Sequence, residues 1–334
     1  MEARVTVVIP NWNGKRFLGI CLGSLRNQSF RDFETIVVDN GSTDGSIDFV
    51  KEHFPDVRVV ELGENRGFAA AVNAGIEASD TEFVVLLNND TEQDERWLGE
   101  LVGAADAHAD AGLFASKLVD FHDRGVLDGA GDAMRLSGLP YRLGHGERDR
   151  GQFDEPGYVF GACAAAALYR KSLFEEVGLF DEDFVSYCED GDLSFRAQLA
   201  RHRCFYVPGA VVYHMGSAST GGKRSPTATR LGTQNSLGLL VKDLPLSSVP
   251  HVLPFFVLGQ LARLVTAAAT GSLRAHLEGL AGARRHLPLM REKRAGIQKR
   301  KQLSGAEVRK LLRESSLAAA ASIARRLRDR VLSR

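Results

Sequence analysis

The first hundred residues alternate short β-branched runs with stretches of helical periodicity, and that alternation restricts the fold more than any other feature of the chain. "VTVVIP" (5–10), "ETIVVDN" (34–40), "VRVVEL" (57–62) and "FVVLLNND" (83–90) read as strands. "LGICLGSLRNQ" (18–28), "SIDFVKEHF" (46–54) and "GFAAAVNAGIEAS" (67–79) lie between them and read as helices. Strands separated by helices of about ten residues build a mainly parallel, doubly wound sheet, an α/β fold. In such sheets ligands bind beyond the carboxyl ends of the strands. Those ends carry "PNWNG", "DNGSTDGS", "GENRGFAAAVNAG" and "NND", all small, polar and mostly Gly-rich, which suits close approach of backbone to phosphates. Four such loops on one rim predict a nucleotide-type site.

The strand "FVVLL" runs directly into Asn88, Asn89 and Asp90. Alone, that ending reads as a turn or a helix cap. A second acidic cluster, Glu189, Asp190 and Asp192, opens a helical run whose Leu193, Phe195 and Leu199 face inward. Three carboxylates so close exceed what capping needs, and crowding predicts that at least one has its proton affinity raised toward the range of a general base. His214 ends the strand "AVVYH", where an imidazole can join Asp90 on a divalent cation whose remaining oxygens come from a diphosphate. Asp128 and Asp132 in "DGAGD" are open to contact with a transferred sugar but read first as a solvated turn, and residues 103–157 read as an irregular excursion that orders around substrate. Trp97 is expected to anchor a helix in the core. "GSASTGGKR" (216–224) matches a phosphate loop only loosely, because Lys223 misses the required spacing.

With 44% hydrophobic and 25% charged residues over 334 positions, the chain reads as soluble and globular. Its zero net charge conceals a split: residues 1–220 hold 20 Lys and Arg against 36 Asp and Glu, while 221–334 hold 22 against 6. A boundary is placed there, giving a catalytic region (1–220) and a basic helical region (221–334). Cys21, Cys163, Cys188 and Cys204 form no C-x-x-C pair, which indicates neither a zinc site nor a disulfide framework and suits a reducing cytoplasm. The first apolar run is too short for a signal peptide. The stretch 249–271 contains two prolines, His251, Gln260 and Arg263, and is expected to span a bilayer poorly. The run 284–301 has eight Lys/Arg and one acid, which suits either packing on the acidic region or peripheral docking on an anionic membrane face. The closing segment begins with a Ser304–Glu307 capping box and reads as an amphipathic helix, open to membrane contact or to homodimerisation. Few aromatics interleave the basic residues, so nucleic acid is not an expected partner.

The ordered set "VVIPNWNG", "IVVDNGSTDGS", "NRGFAAAVNAG", "LLNND", "GACAAAALYRKSLFEEVGLFDEDF", "EDGDLSFR" and "VPGAVVYH" resembles the inverting, nucleotide-sugar-dependent glycosyltransferases of family 2 over residues 4–220. The resemblance is strongest to rhamnosyltransferases and galactofuranosyltransferases of bacterial surface polysaccharide assembly. It implies a GT-A, Rossmann-like nucleotide-sugar-binding domain. It further implies that Pro10, Asn11 and Trp12 line the nucleobase pocket, that Asp39 bonds the base or ribose, and that Arg66 closes over the base. Asn88, Asn89 and Asp90 take the place of the family's D-x-D motif, with Asp90 and His214 as ligands of Mg2+ or Mn2+. Asp190 matches the catalytic base, and Gly161, Ala162 and Glu189 are expected at the transferred sugar or acceptor. Asn88 departs from the pattern: an amide brings no charge, so metal affinity leans on the diphosphate. The implied partners are a nucleoside diphosphate sugar and a saccharide or lipid-linked saccharide acceptor. A sugar-nucleotide nucleotidyltransferase and a non-catalytic nucleotide-binding or nucleic-acid-binding protein are the rival readings.

Overall fold

The computed structural model describes residues 3–216 and 225–332. All of the stretch 216–224 except Gly216 therefore lies outside the described residues. The anticipated alternation is present as β1 (Val5–Asn11), α1 (Lys15–Arg26), β2 (Phe33–Asp39), α2 (Ser46–His53), β3 (Arg58–Glu61), α3 (Phe68–Glu77) and β4 (Phe83–Leu87). There follow β5 (Thr91–Gln93), α4 (Trp97–Ala107), β6 (Ala111–Asp120), β7 (Leu127–Ala130), β8 (Asp132–Met134), β9 (Pro140–Arg142), β10 (Gly157–Val159) and β11 (Ala166–Arg170). The remainder comprises α5 (Lys171–Val177), α6 (Glu189–Leu199), β12 (Arg203–His214), α7 (Pro226–Asp243), α8 (Val249–Ala269), α9 (Leu273–Arg300) and α10 (Gly305–Leu332).

The main sheet runs β10-β12-β6-β11-β4-β1-β2-β3. β4, β1, β2 and β3 are parallel neighbours, as are β12 and β6, while β11 runs antiparallel to both β4 and β6. Both faces are covered, and side chains alternate between them with the period of two that a strand imposes. Val5, Val7 and Ile9 join Leu18, Leu22 and Leu101 on one face, whereas Val8, Val84 and Leu86 join Val72, Ile76 and Leu193 on the other.

Residues 103–157 are not an irregular excursion. They contain β6, an interior strand of the sheet, and the β8–β9 hairpin. The reason is visible in β6 itself: its first nine residues are all buried, so it shows no alternation, and its neighbours' glycines and charges belong to turns.

A third apolar cluster joins Phe184, Phe195 and Leu199 to Leu239, Met290, Val308 and Leu312, so the C-terminal helices pack on the first region. Charge complementarity reinforces this contact, since buried Lys242 pairs with Asp181 at 2.6 Å and Asp192 at 2.5 Å. The expectation for 249–271 is amended. Pro250 falls at the helix start, where no N–H is needed, while Pro254 lies inside the helix and forgoes the bond to the Pro250 carbonyl, yet α8 continues to Ala269. By length and composition Leu246–Ala269 is long and apolar enough to cross a bilayer, with 11% of its most apolar window buried against the rest of the chain. At the head of α10, Ser304 N donates to Glu307 Oε2 and Glu307 N to Ser304 Oγ, a reciprocal capping box. All four cysteines are free.

Candidate active site

A cleft of about 760 Å³ opens over the carboxyl ends of β1 and β4, beside the loop that follows β2. That is a volume typical of small-molecule sites. Pro10, Asn11, Trp12, Asn40, Asn88 and Asn89 line one half. Their loops are tied together: Asn89 Nδ2 donates to Asn11 Oδ1 at 2.7 Å, and Asn11 Nδ2 donates to Asp39 Oδ1 at 3.1 Å. Gly14 makes this possible, because a Cβ there would stand 2.1 Å from Asn89 Nδ2. Asp39 is buried beneath the rim, accepting also from Ser42 N at 2.9 Å. Arg66 projects half-exposed, its Nη2 3.5 Å from Glu182 Oε2. Neither Asp39 nor Arg66 is among the residues that line the cleft.

Asp90 and His214, far apart in sequence, meet because β5 pairs antiparallel with the end of β12, setting Thr91 opposite His214. His214 Nε2 lies 3.4 Å from Asp90 Oδ1 and has no hydrogen-bond partner. The other ring nitrogen is fixed, with Nδ1 2.7 Å from Asp128 Oδ2. Asp128 also takes Arg142 Nη1 at 2.8 Å and His145 Nδ1 at 3.0 Å. The solvated-turn reading of "DGAGD" is thus overturned: β7 pairs with β6 and β8 with β9, which buries both carboxylates. Burial pushes the Asp128 carboxyl up, but Arg142, His145 and His214 outweigh it and hold the group well below the usual range. For His214 burial acts downward, but the neighbouring Asp128 and Asp90 carboxylates outweigh it, raising it to about 9.

An imidazole fixed through one nitrogen by a carboxylate, with its other nitrogen unpartnered opposite Asp90, fits a divalent cation. Among the described residues no group of three or more His, Cys, Asp or Glu forms a self-sufficient metal site. Asp90 and His214 would supply two donors, leaving the rest to a diphosphate.

On the far side α6 presents Glu189 and Asp190 to the cleft, with Asp132 beside them. Asp192 turns away into a buried ion pair with Arg196 at 2.8 Å. The electrostatics divide accordingly. Burial raises Asp190 above the ordinary carboxylate value, against the pull of Arg142. Burial and the Asp190 charge raise Glu189 to about 8 and Asp132 to about 7. Burial also opposes ionisation of Asp192, but Arg196 and Lys242 hold it low.

The loop entering α6 is strained, with Val185, Tyr187 and Cys188 at φ of 62°, 71° and 72°. Such values cost non-glycine residues about 1–3 kcal/mol each. A side-chain amide braces the turn: Asn235 Nδ2 on α7 lies 2.7, 2.9 and 2.8 Å from the carbonyls of Phe184, Ser186 and Tyr187 as their donor, and Phe68 N donates to Val185 O at 3.0 Å. Gly161 and Ala162 do not line the cleft; Cys163, Ala164 and Ala165 do. Gly161 instead pairs with Asp132 and lets α6 approach, since a Cβ would fall 2.4 Å from Ser194 Oγ. Asp128, Arg142 and Asn235 were not identified as functional from sequence, and only "DGAGD" gave a signal.

Residues 6–178 match the profile of Glycosyl transferase family 2. The chain is 32% identical over 283 residues to a pre-mycofactocin glycosyltransferase of Mycobacterium tuberculosis, covering 80% of this chain and 56% of that relative. The chain thus spans little more than half the length of this relative. An N-acetylglucosaminyl-diphospho-decaprenol L-rhamnosyltransferase of the same organism is 29% identical over 247 residues, covering 66% of this chain and 78% of the relative. Among solved structures, a mannosyltransferase from Pyrobaculum calidifontis in complex with GDP-Man and Mn2+ superposes with a TM-score of 0.54 at 20% identity, over 96% of this chain and 87% of that one. This likeness is one of fold, the GT-A architecture.

Proposed function

The chain belongs to glycosyl transferase family 2, and on that premise we propose that it moves a sugar from a nucleoside diphosphate sugar to an acceptor hydroxyl with inversion at the anomeric carbon. The observation that carries this reading is the convergence of Asp90 with His214 and of Asp190 with Glu189 on one cleft. Asp190, raised by burial, takes the proton from the acceptor hydroxyl. The freed oxygen forms its bond to the anomeric carbon as the bond to the diphosphate oxygen breaks on the opposite face. A divalent cation, when bound, would offset charge on the departing diphosphate. Asn11, Trp12 and Asn89 seat the nucleotide, and Arg142 holds Asp128 so that Asp128 can orient His214.

The acceptor we favour is a saccharide or lipid-linked saccharide of the bacterial cell surface, and a rhamnose-type donor is the first to test. The named activity of the 29%-identical relative supports both choices. The exposed Leu253, Phe255, Leu258, Leu261 and Val265 of α8, beside basic α9, support docking on an anionic membrane. Each basic side chain near such a surface adds about 1 kcal/mol. Vesicles of phosphatidylglycerol are expected to sediment the protein in low salt, and phosphatidylcholine vesicles to leave it in solution. Failure on both, with a dimer in solution, would transfer this face to a second copy.

The test of the activity is a panel of nucleotide sugars incubated with and without Mn2+ or Mg2+. Release of nucleoside diphosphate that Asp190→Asn abolishes is the expected result. Release of inorganic pyrophosphate from a nucleoside triphosphate and a sugar phosphate would indicate nucleotidyl transfer and overturn the reading.

A further inference from the structure

Two guanidinium groups in the cleft have no carboxylate partner among the described residues. Arg135 lies in the turn between β8 and β9, Arg263 lies on α8, and both line the same cavity as Asp190. Arg142, Arg196, Lys242 and Arg325 each have an acidic partner. Neither Arg135 nor Arg263 enters an ion pair among the described residues. Arg263 is held in place instead by neutral groups of α7, with Nη1 2.9 Å from Ser236 Oγ and Nη2 3.0 Å from Thr233 Oγ1. Arg135 Nε is buried with no hydrogen-bond partner, and so are both amide atoms of Gln260, one helical turn from Arg263. Burial pushes both arginines below their ordinary value, and the Arg135 charge depresses Arg263 further. Two like charges half out of water, with donors unspent, are costly until an anion sits between them.

We infer that Arg135 and Arg263 form an anion site on the acceptor side of the cleft, which takes a phosphate or diphosphate ester carried by the acceptor. The inference rests on the glycosyl-transfer reading above. Placement separates this site from the donor's diphosphate. The donor half is built from the ends of β1 and β4 and the loop after β2. The two arginines instead lie with α7 and the β8–β9 turn, Arg263 against Ser236 and Thr233 and Arg135 N donating to Leu139 O at 3.1 Å. Arg263 points inward from α8, while Leu258 and Leu261 on the outer face are 64% and 52% exposed. A helix with its side chains is about 10 Å thick. A phosphate at Arg263 therefore lies about one helix thickness from an exposed apolar surface, within reach of a chain that extends past the edge of α8. Arg also suits the oxygens, since its fork meets phosphate with two parallel donors.

The full chain, saturated with whichever of UDP, GDP or dTDP it binds and with Mg2+, is titrated calorimetrically with farnesyl diphosphate and separately with inorganic pyrophosphate. Farnesyl diphosphate is expected to bind the nucleotide-loaded protein more tightly than pyrophosphate does. Its affinity should fall about 10-fold or more in R135Q/R263Q, the loss typical of charge-assisted hydrogen bonds, with nucleotide affinity unchanged. R135K/R263K should recover part of it. No binding, or a double variant that binds as well as the parent, overturns the inference. Pyrophosphate binding as tightly with the same arginine dependence replaces the ester by a free anion and overturns the acceptor assignment. Loss of nucleotide affinity in R135Q/R263Q gives the arginines to the donor and overturns it as well. If the unaltered chain binds no nucleotide at all, the failure is that of the glycosyl-transfer reading.

Discussion

Asp192 receives two buried cations, while Asp190, two residues earlier, receives no ion pair among the described residues. That difference makes one carboxylate structural and leaves the other basic enough to take a proton. Asp190→Asn should lower turnover about 10²–10⁴-fold with nucleotide affinity intact, as measured by initial rates and calorimetry. Because Asp190 must be ionised to act and its proton affinity is raised, activity should fall on the acid side at a pH above the ordinary carboxylate value of 3.8. Glu189 gives a stability effect of known sign. Its folded value of about 8 exceeds the ordinary 4.5, so its contribution is complete below 4.5 and is lost as pH rises through 8. Glu189→Gln should therefore flatten the decline in Tm over that window. Asp128→Asn should weaken Mn2+ binding about 10–100-fold in an electron paramagnetic resonance titration, since it releases the imidazole that His214 turns toward Asp90. Asp90, Asp190 and His214 were legible in the sequence as cleft residues because each lies at or beside the end of an element, among other polar residues. Asp128 was not, because its partner His214 is 86 positions away and "DGAGD" looks the same in a solvated turn.

The elements that were legible are those in which pattern and environment agree. β1 to β4 carry β-branched runs with helices between them, and the four parallel strands follow. β6 was missed because an interior strand buried on both faces has no period to detect. The strained entry to α6 was equally hidden, since Val185 and Tyr187 are residues that sequence never assigns to the left-handed region. The amide of Asn235, arriving from α7, braces the turn together with Phe68 N, which donates to Val185 O at 3.0 Å. Asn235→Ala should cost about 1–3 kcal/mol in denaturant unfolding by leaving buried carbonyls unpaired. It should also lower turnover more than it lowers nucleotide affinity, because the turn runs directly into Asp190, whereas it meets the loop before α3 through the Phe68 N to Val185 O bond, which the substitution leaves in place. Were nucleotide affinity to drop as far as turnover, the turn would belong to the donor site.

Across the whole molecule, composition changes near residue 220 but packing does not divide there. Phe184, Phe195 and Leu199 share a core with α7, α9 and α10, and Lys242 is buried against Asp181 and Asp192. Removing 221–334 should leave an acidic fragment with an uncovered apolar face, with buried Asp181 stripped of Lys242 and Lys293 and Asp192 left with Arg196 alone, recovered in the insoluble fraction. A soluble, cooperatively melting 1–220 fragment would contradict that. The acid-rich half and the base-rich half thus complete one cleft, with the loops after β1, β2 and β4 from the first and Arg263 from the second. The most direct test is calorimetric titration of the unaltered chain, Asp90→Ala and Asp190→Asn with UDP, GDP and dTDP, with and without Mn2+. The account predicts that Mn2+ tightens at least one nucleotide on the unaltered chain and on Asp190→Asn, and that Asp90→Ala loses the Mn2+ effect. An unaltered chain indifferent to Mn2+, or an Asp190→Asn variant that loses nucleotide as completely as Asp90→Ala, would contradict it.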